Sequence, residues 1–217
     1  MAENILKIID AFYAAKRVHH YYWMHTDGDE HEQQQVSVDN IQWIIATLCD
    51  VQIERLELDF ESRFHRAFVE RYDDGTRNVI YVMKSEQGNW KRISTVKELC
   101  HILIDTPGDF QPDPCQTIEG IKDDGIIPFH EHSMNEVDSE ALAEMIAMEL
   151  VYPLEFRRYD REAMSDGATL SELSDKRKVP EKYIALGTSK AHYDACMEVW
   201  KRLPPVEPPN LNEYILN

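Results

Sequence analysis

Glu98 and His101 stand three residues apart in "STVKELCHILID", residues 94–105. On a helix that spacing puts both side chains on one face. The related pattern H-E-x-x-H carries metal-assisted hydrolysis. Two imidazoles one turn apart grip a zinc ion, and the glutamate between them acts as general base on the metal-bound water. Here the first ligand position is Lys97. An ammonium with a reference pKa near ~10.4 stays protonated at neutral pH and offers a cation no lone pair. A third ligand would come from elsewhere. "EALAEMIAMELVYP", residues 140–153, offers Glu140 in the first turn of a helix with small residues at Ala143 and Ala147.

The flanking elements must bring these groups together. Residues 4–24 read as a helix through Ile5, Ile8, Ile9 and Phe12. Ser37 reads as an N-cap ahead of an apolar stripe at Ile41, Ile44, Ile45 and Leu48. "VQIERLELDF" alternates as a strand, with Val51 and Ile53 followed by Leu56, Leu58 and Phe60 after a phase shift. Two β-rich runs around Asp74-Gly75 predict a hairpin. The helix carrying Glu98 is expected from about Ser94 to Asp105. Residues 106–136 hold Pro107, Gly108, Pro112, Pro114, Gly120, Gly125 and Pro128, and read as a long loop bordering the site. Helix resumes near Val137 and runs to Tyr152, where Pro153 stops it. Short helices fill 154–203.

The bulk properties narrow the function. The chain has 217 residues, 43% hydrophobic and 29% charged, which suits a domain with a real core. The formal net charge of −17 disfavours nucleic-acid and membrane surfaces and favours cationic partners. Residues 105–144 hold eleven Asp/Glu against one base, Lys122. Asp123, Asp124 and Glu131 in that stretch are candidate partner-binding residues. Cys49, Cys100, Cys115 and Cys196 are scattered without C-x-x-C, so a reducing cytoplasm is expected. Cys100 reads as a small apolar core residue. No apolar run approaches the ~18 residues of a membrane span, and the first residues lack a signal-peptide order. His19, His20 and His25 read as a partly exposed helix end.

The order of these parts resembles the ImmA/IrrE family of zinc metallopeptidases. The lead-in to the family's zinc helix corresponds to Arg92-Ile93-Ser94-Thr95-Val96. The zinc helix itself corresponds to Lys97-Glu98-Leu99-Cys100-His101. The second motif corresponds to Glu140, Ala143, Glu144, Ile146, Ala147, Leu150, Val151, Tyr152 and Pro153. A third, "LSELSDKRKVPEKYI", spans 170–184. The resemblance implies an α+β, zincin-like metallopeptidase fold with a small antiparallel sheet, a helical layer and a helical C-terminal part. Read along its length, the chain divides into four regions: an N-terminal helix and polar linker (1–35), the metallopeptidase-like core (36–153), a helical part (154–203) and a Pro-rich tail (204–217). The resemblance also implies His101 and Glu140 as zinc ligands and Glu98 as general base.

Lys97 divides the functional expectations. The leading one is a degenerate member that needs no cofactor and acts by binding a partner protein. The family's association with phages and mobile elements makes a basic DNA-binding regulator the implied partner. An active zinc endopeptidase with substituted ligands, His130 and His132, is the alternative. A third is an acidic mimic that blocks the DNA-binding surface of its partner.

Overall fold

The computed structural model describes residues 2–25, 35–59, 66–86, 88–105 and 131–206, with side chains at all of these except 2–5, 74 and 131–138. Eight α-helices and three strands lie in the described residues. They are α1 (Ala2–His25), α2 (Val38–Cys49), β1 (Gln52–Leu58), β2 (Ala67–Tyr72), β3 (Arg77–Met83), α3 (Gly88–Ile104), α4 (Glu131–Val151), α5 (Leu154–Ser165), α6 (Leu170–Arg177), α7 (Glu181–Thr188) and α8 (Lys190–Arg202). The class is α+β, mostly helical. No helix of the described residues is long and apolar enough to cross a membrane.

Local rules set most element boundaries. Ser37 caps α2 through its hydroxyl, which accepts from the Asn40 N–H at 3.3 Å. Asp50 ends that helix in the left-handed region (φ 54°). Asp73–Gly75 form a 3-10 turn between β2 and β3, and Gly75 supplies the positive φ (89°). Helix α3 begins at Gly88, earlier than the expected Ser94, and Gly88 takes a left-handed φ of 55° there. Pro153 cannot continue α4 and becomes the N-cap residue of α5. Helix α4 starts at Glu131 rather than near Val137. His132 therefore lies on a helix, not in a loop.

The sheet corrects the antiparallel expectation. Its order is β1-β3-β2, with β2 antiparallel to β3 but β1 parallel to it, from Gln52↔Arg77 to Leu58↔Met83. Side-chain alternation reports which face is buried and says nothing of strand direction. The central strand is buried on both faces at Asn78, Val79 and Ile80, as expected for a strand covered on both sides. β1 is an edge. Leu56 and Leu58, apolar positions of its alternation, are 45% and 41% exposed among the described residues.

One core joins α1 to the rest. Phe12, Ala15, Val18 and Tyr22 of α1 pack in the same cluster as Ile41, Ile44 and Ile45 of α2, Val96 and Leu99 of α3, and Ile146 and Leu150 of α4. His19 lies on that apolar face and is buried, not exposed, and its Nε2 stands 2.9 Å from the Glu149 carbonyl. Cys100 is fully buried, and so are Ala143 and Ala147 on α4. Small side chains at such positions let two helices approach closely. Arg92 of α3 donates to the carbonyls of Val36, Arg177 (2.8 Å) and Lys178 (3.1 Å), tying two segments to one helix.

The C-terminal helices are held by a buried ion pair. Arg177 of α6 donates through Nε (3.0 Å to Oδ2) and Nη2 (2.8 Å to Oδ1) to Asp160 of α5, which also accepts from Tyr152 at 2.9 Å. Both members are almost fully buried. Asp160→Ala leaves the guanidinium without its counter-charge. It is expected to destabilise the fold by about 3–5 kcal/mol, measured from the urea unfolding midpoint.

Candidate functional site

Helix α3 displays Lys97, His101 and Asp105 at i, i+4 and i+8, one stripe along its surface, with Asp105 just past its last turn. Glu98 sits beside that stripe and is 4% exposed. Helix α4 lies against it and contributes Ser139 and Glu140. Strand β2 contributes Arg71. His101 is in the last turn of α3, where the partial negative charge of the helix end favours a cation.

These groups form a continuous chain of alternating charge. Arg71 Nη2 lies 2.9 Å from Asp105 Oδ2. Asp105 Oδ2 lies 3.1 Å from His101 Nδ1. His101 Nε2 lies 3.1 Å from Glu140 Oε1, close but without hydrogen-bond alignment. Glu140 Oε2 accepts from Lys97 Nζ at 2.6 Å, and the same ammonium lies 3.4 Å from Glu98 Oε1. Ser139 donates to Asp105 Oδ1 at 2.8 Å. Three cations face three carboxylates in sequence, so each charge has the opposite sign on either side.

The protonation states follow from this order. Burial pulls the His101 imidazolium down, but the bond to Asp105, then Glu140 and Glu98, outweigh it and hold its pKa up at about 10. Burial pushes Glu140 up, and His101 and Lys97 overcome that and hold it near about 2. Burial likewise opposes the Lys97 charge, while Glu98 and Glu140 raise its pKa above the ordinary lysine value. Glu98 itself is pushed up, because desolvation exceeds the pull of Lys97 and His101.

The described residues around Lys97 do not by themselves complete a catalytic zinc site. Such an ion takes three protein ligands and keeps one open position. His101 and Glu140 converge, but no third described His, Cys or carboxylate joins them in a ligand-sized cluster. The Lys97 ammonium bonds one oxygen of Glu140 and approaches Glu98, which is where the metal's charge would act. His101 faces carboxylates through both ring nitrogens and so holds both protons. His130, Asp123 and Asp124 lie outside the described residues, as do the side chains of Glu131 and His132.

The network opens on one side into a cleft of about 230 Å³. Lys97 and Glu98 line it together with Arg66, Trp90, Glu144 and Tyr183. Arg66 lies over the Trp90 ring at 3.9 Å, and Lys182 lies over the same ring at 5.0 Å. Glu144 accepts from Tyr183 at 2.5 Å and from Lys182 at 3.1 Å. Arg71, Asp105, Ser139 and Trp90 are functional-site residues that sequence reasoning missed. Asp105 had a signal, its i+8 position on the Lys97–His101 stripe. The others are placed by packing alone.

No family model, curated protein or solved structure matches the chain. What the coordinates define is the class: an α+β, mostly helical chain with a three-stranded mixed sheet. Its charged helix-pair site borders a cleft.

The shifts set a pH window for the site. His101 is raised from 6.5 to about 10, so its contribution is complete below pH 6.5 and fades as pH climbs through 10. Glu140 is lowered from 4.5 to about 2, so its contribution is complete above pH 4.5 and fades as pH falls through 2. Thermal stability should fall between pH 7 and 10 in the wild type. That slope should flatten in His101→Gln, and the His101 ring protons should show no titration in NMR below pH 8.

Proposed function

We propose that this chain is a catalytically degenerate, ImmA/IrrE-like metallopeptidase-fold protein that acts by binding a partner protein. The observation that carries the reading is Lys97 Nζ lying 2.6 Å from Glu140 and 3.4 Å from Glu98. An E-x-x-H helix and a glutamate from a neighbouring helix converge as they would on one ion, with an ammonium supplying the positive charge. The Lys97 ammonium stands beside Glu98, and burial raises that carboxyl's proton affinity. The cleft remains, with an aromatic floor at Trp90 and charged walls. The net charge of −17 favours a basic partner, and a DNA-binding regulator has that character. The acidic stretch with Asp123, Asp124 and Glu131 would speed the encounter. The substitute ligands of the alternative enzyme, His130 and His132, lie outside the described side chains.

The test is the metal dependence of the cleft. Peptidase activity on a basic protein substrate should be absent in the wild type with or without added zinc, and His101→Ala should leave bound-metal content unchanged. A basic probe peptide should bind with an affinity that falls as salt rises. Zinc lost on His101→Ala, or turnover abolished by Glu98→Gln, would overturn the reading.

Substituting Lys97 separates the two roles of the charge. Lys97→Ala strands Glu98, whose side chain is 5% exposed, while half-exposed Glu140 keeps His101 at 3.1 Å. Solvent screens Glu140, and Glu98 can take up a proton. The expected loss is therefore about 2 kcal/mol, below the ~3–5 kcal/mol of a fully buried pair. Lys97→His restores the i, i+4 imidazole pair, and one equivalent of zinc more than the wild type takes up is expected by calorimetry.

A further inference from the structure

Cys196 and His192 lie one turn apart on α8, and Cys196 Sγ stands 3.5 Å from His192 Nε2. Glu149 of α4 closes the group. One ligand atom from each residue lies within 4.8 Å of the other two, and among the described residues no other His, Cys or carboxylate triad does this. Tetrahedral zinc bound at ~2.3 Å to sulfur and ~2.0 Å to nitrogen holds those two atoms roughly 3.5 Å apart. We infer that Glu149, His192 and Cys196 form a binding site for a zinc-class divalent cation, distinct from the cleft.

Glu149 is fully buried and pairs there with Arg157, whose Nη1 lies 2.7 Å from Oε1. The surroundings resemble the outer shell that orients metal ligands. Trp200 Nε1 donates to Glu149 Oε2 at 3.1 Å. The donor set of one sulfur, one nitrogen and one oxygen selects a borderline-soft ion over calcium or magnesium, which take oxygen ligands. His192 is half-buried, which gives the ion an entry path and leaves a fourth position for water.

Binding is balanced by proton release. The Cys196 S–H gives its proton to solvent and binds as thiolate, while His192 binds as the neutral imidazole. Glu149 and the thiolate together neutralise the divalent charge. Arg157 supplies the opposing charge when no metal is bound, and it keeps its Nε–H bond to the Tyr152 carbonyl (2.6 Å) in either case. The ion would staple the last helix to α4.

The full chain, purified without a histidine tag and stripped with chelator, is titrated with zinc and with cobalt. About one equivalent should bind, one ion per site. The cobalt form should show a thiolate-to-metal charge-transfer band and the strong visible bands of a tetrahedral ion. Cys196→Ser should abolish the charge-transfer band. His192→Gln, at a half-buried position, should weaken binding more than the ~10–100-fold lost with an outer-shell partner. His101→Gln should change neither, which separates this site from the cleft. Absence of binding, a cobalt spectrum without thiolate character, or a band that survives both Cys196→Ser and His192→Gln would overturn the inference.

Discussion

Glu98 is a carboxylate with almost no exposure to water, and the site is built around that fact. Desolvating an unpaired charge costs several kcal/mol, more than a domain of this size can lose casually. Lys97 meets the demand locally, and the alternation from Arg71 through Asp105, His101, Glu140 and Lys97 to Glu98 spreads it across three elements. Each link requires the next to be in place. Strand β2 must lie at the C-terminal end of α3, and α4 must hold Ser139 and Glu140 against it. The fully buried alanines at 143 and 147 suit that close approach.

Helix α4 carries a second buried carboxylate. Glu140 and Glu149 are nine residues apart, roughly 13–14 Å along a helix at 1.5 Å per residue. One faces Lys97 and His101, the other Arg157, Trp200 and the Cys196–His192 pair. Glu140, mid-helix and half-exposed, and Glu149, fully buried near the C-terminal end, together favour one register of α4 against its neighbours. Polar contacts here specify an arrangement for which apolar burial supplies most of the driving force.

The cleft inherits its character from this construction. Its charged walls are already paired internally, so an incoming group gains by adding contacts at Trp90, Arg66, Lys182 and Glu144 rather than by supplying a missing charge.

Much of the architecture was legible in local rules. Capping at Ser37, the turn at Asp74-Gly75, the stop at Pro153 and the apolar stripe of α2 each depend on neighbours in sequence, and each lies where its residues place it. The convergence of His101 with Glu140, 39 positions apart, followed from motif order. Other features depend on contacts between distant segments, and no local pattern encodes those. They include the parallel pairing of β1 with β3, the exposure of Leu56 and Leu58, the burial of His19, and the entry of Arg71 into the network. The Glu149–His192–Cys196 cluster is the clearest case: the i, i+4 spacing of its helix pair was present in the sequence. Whether a carboxylate stood opposite was decided only when α4 and α8 packed together. The sequence by itself determined which side chains could carry charge and on which helical face. Tertiary structure decided which of those charges meet, because buried charges must find partners and only packing brings them within reach.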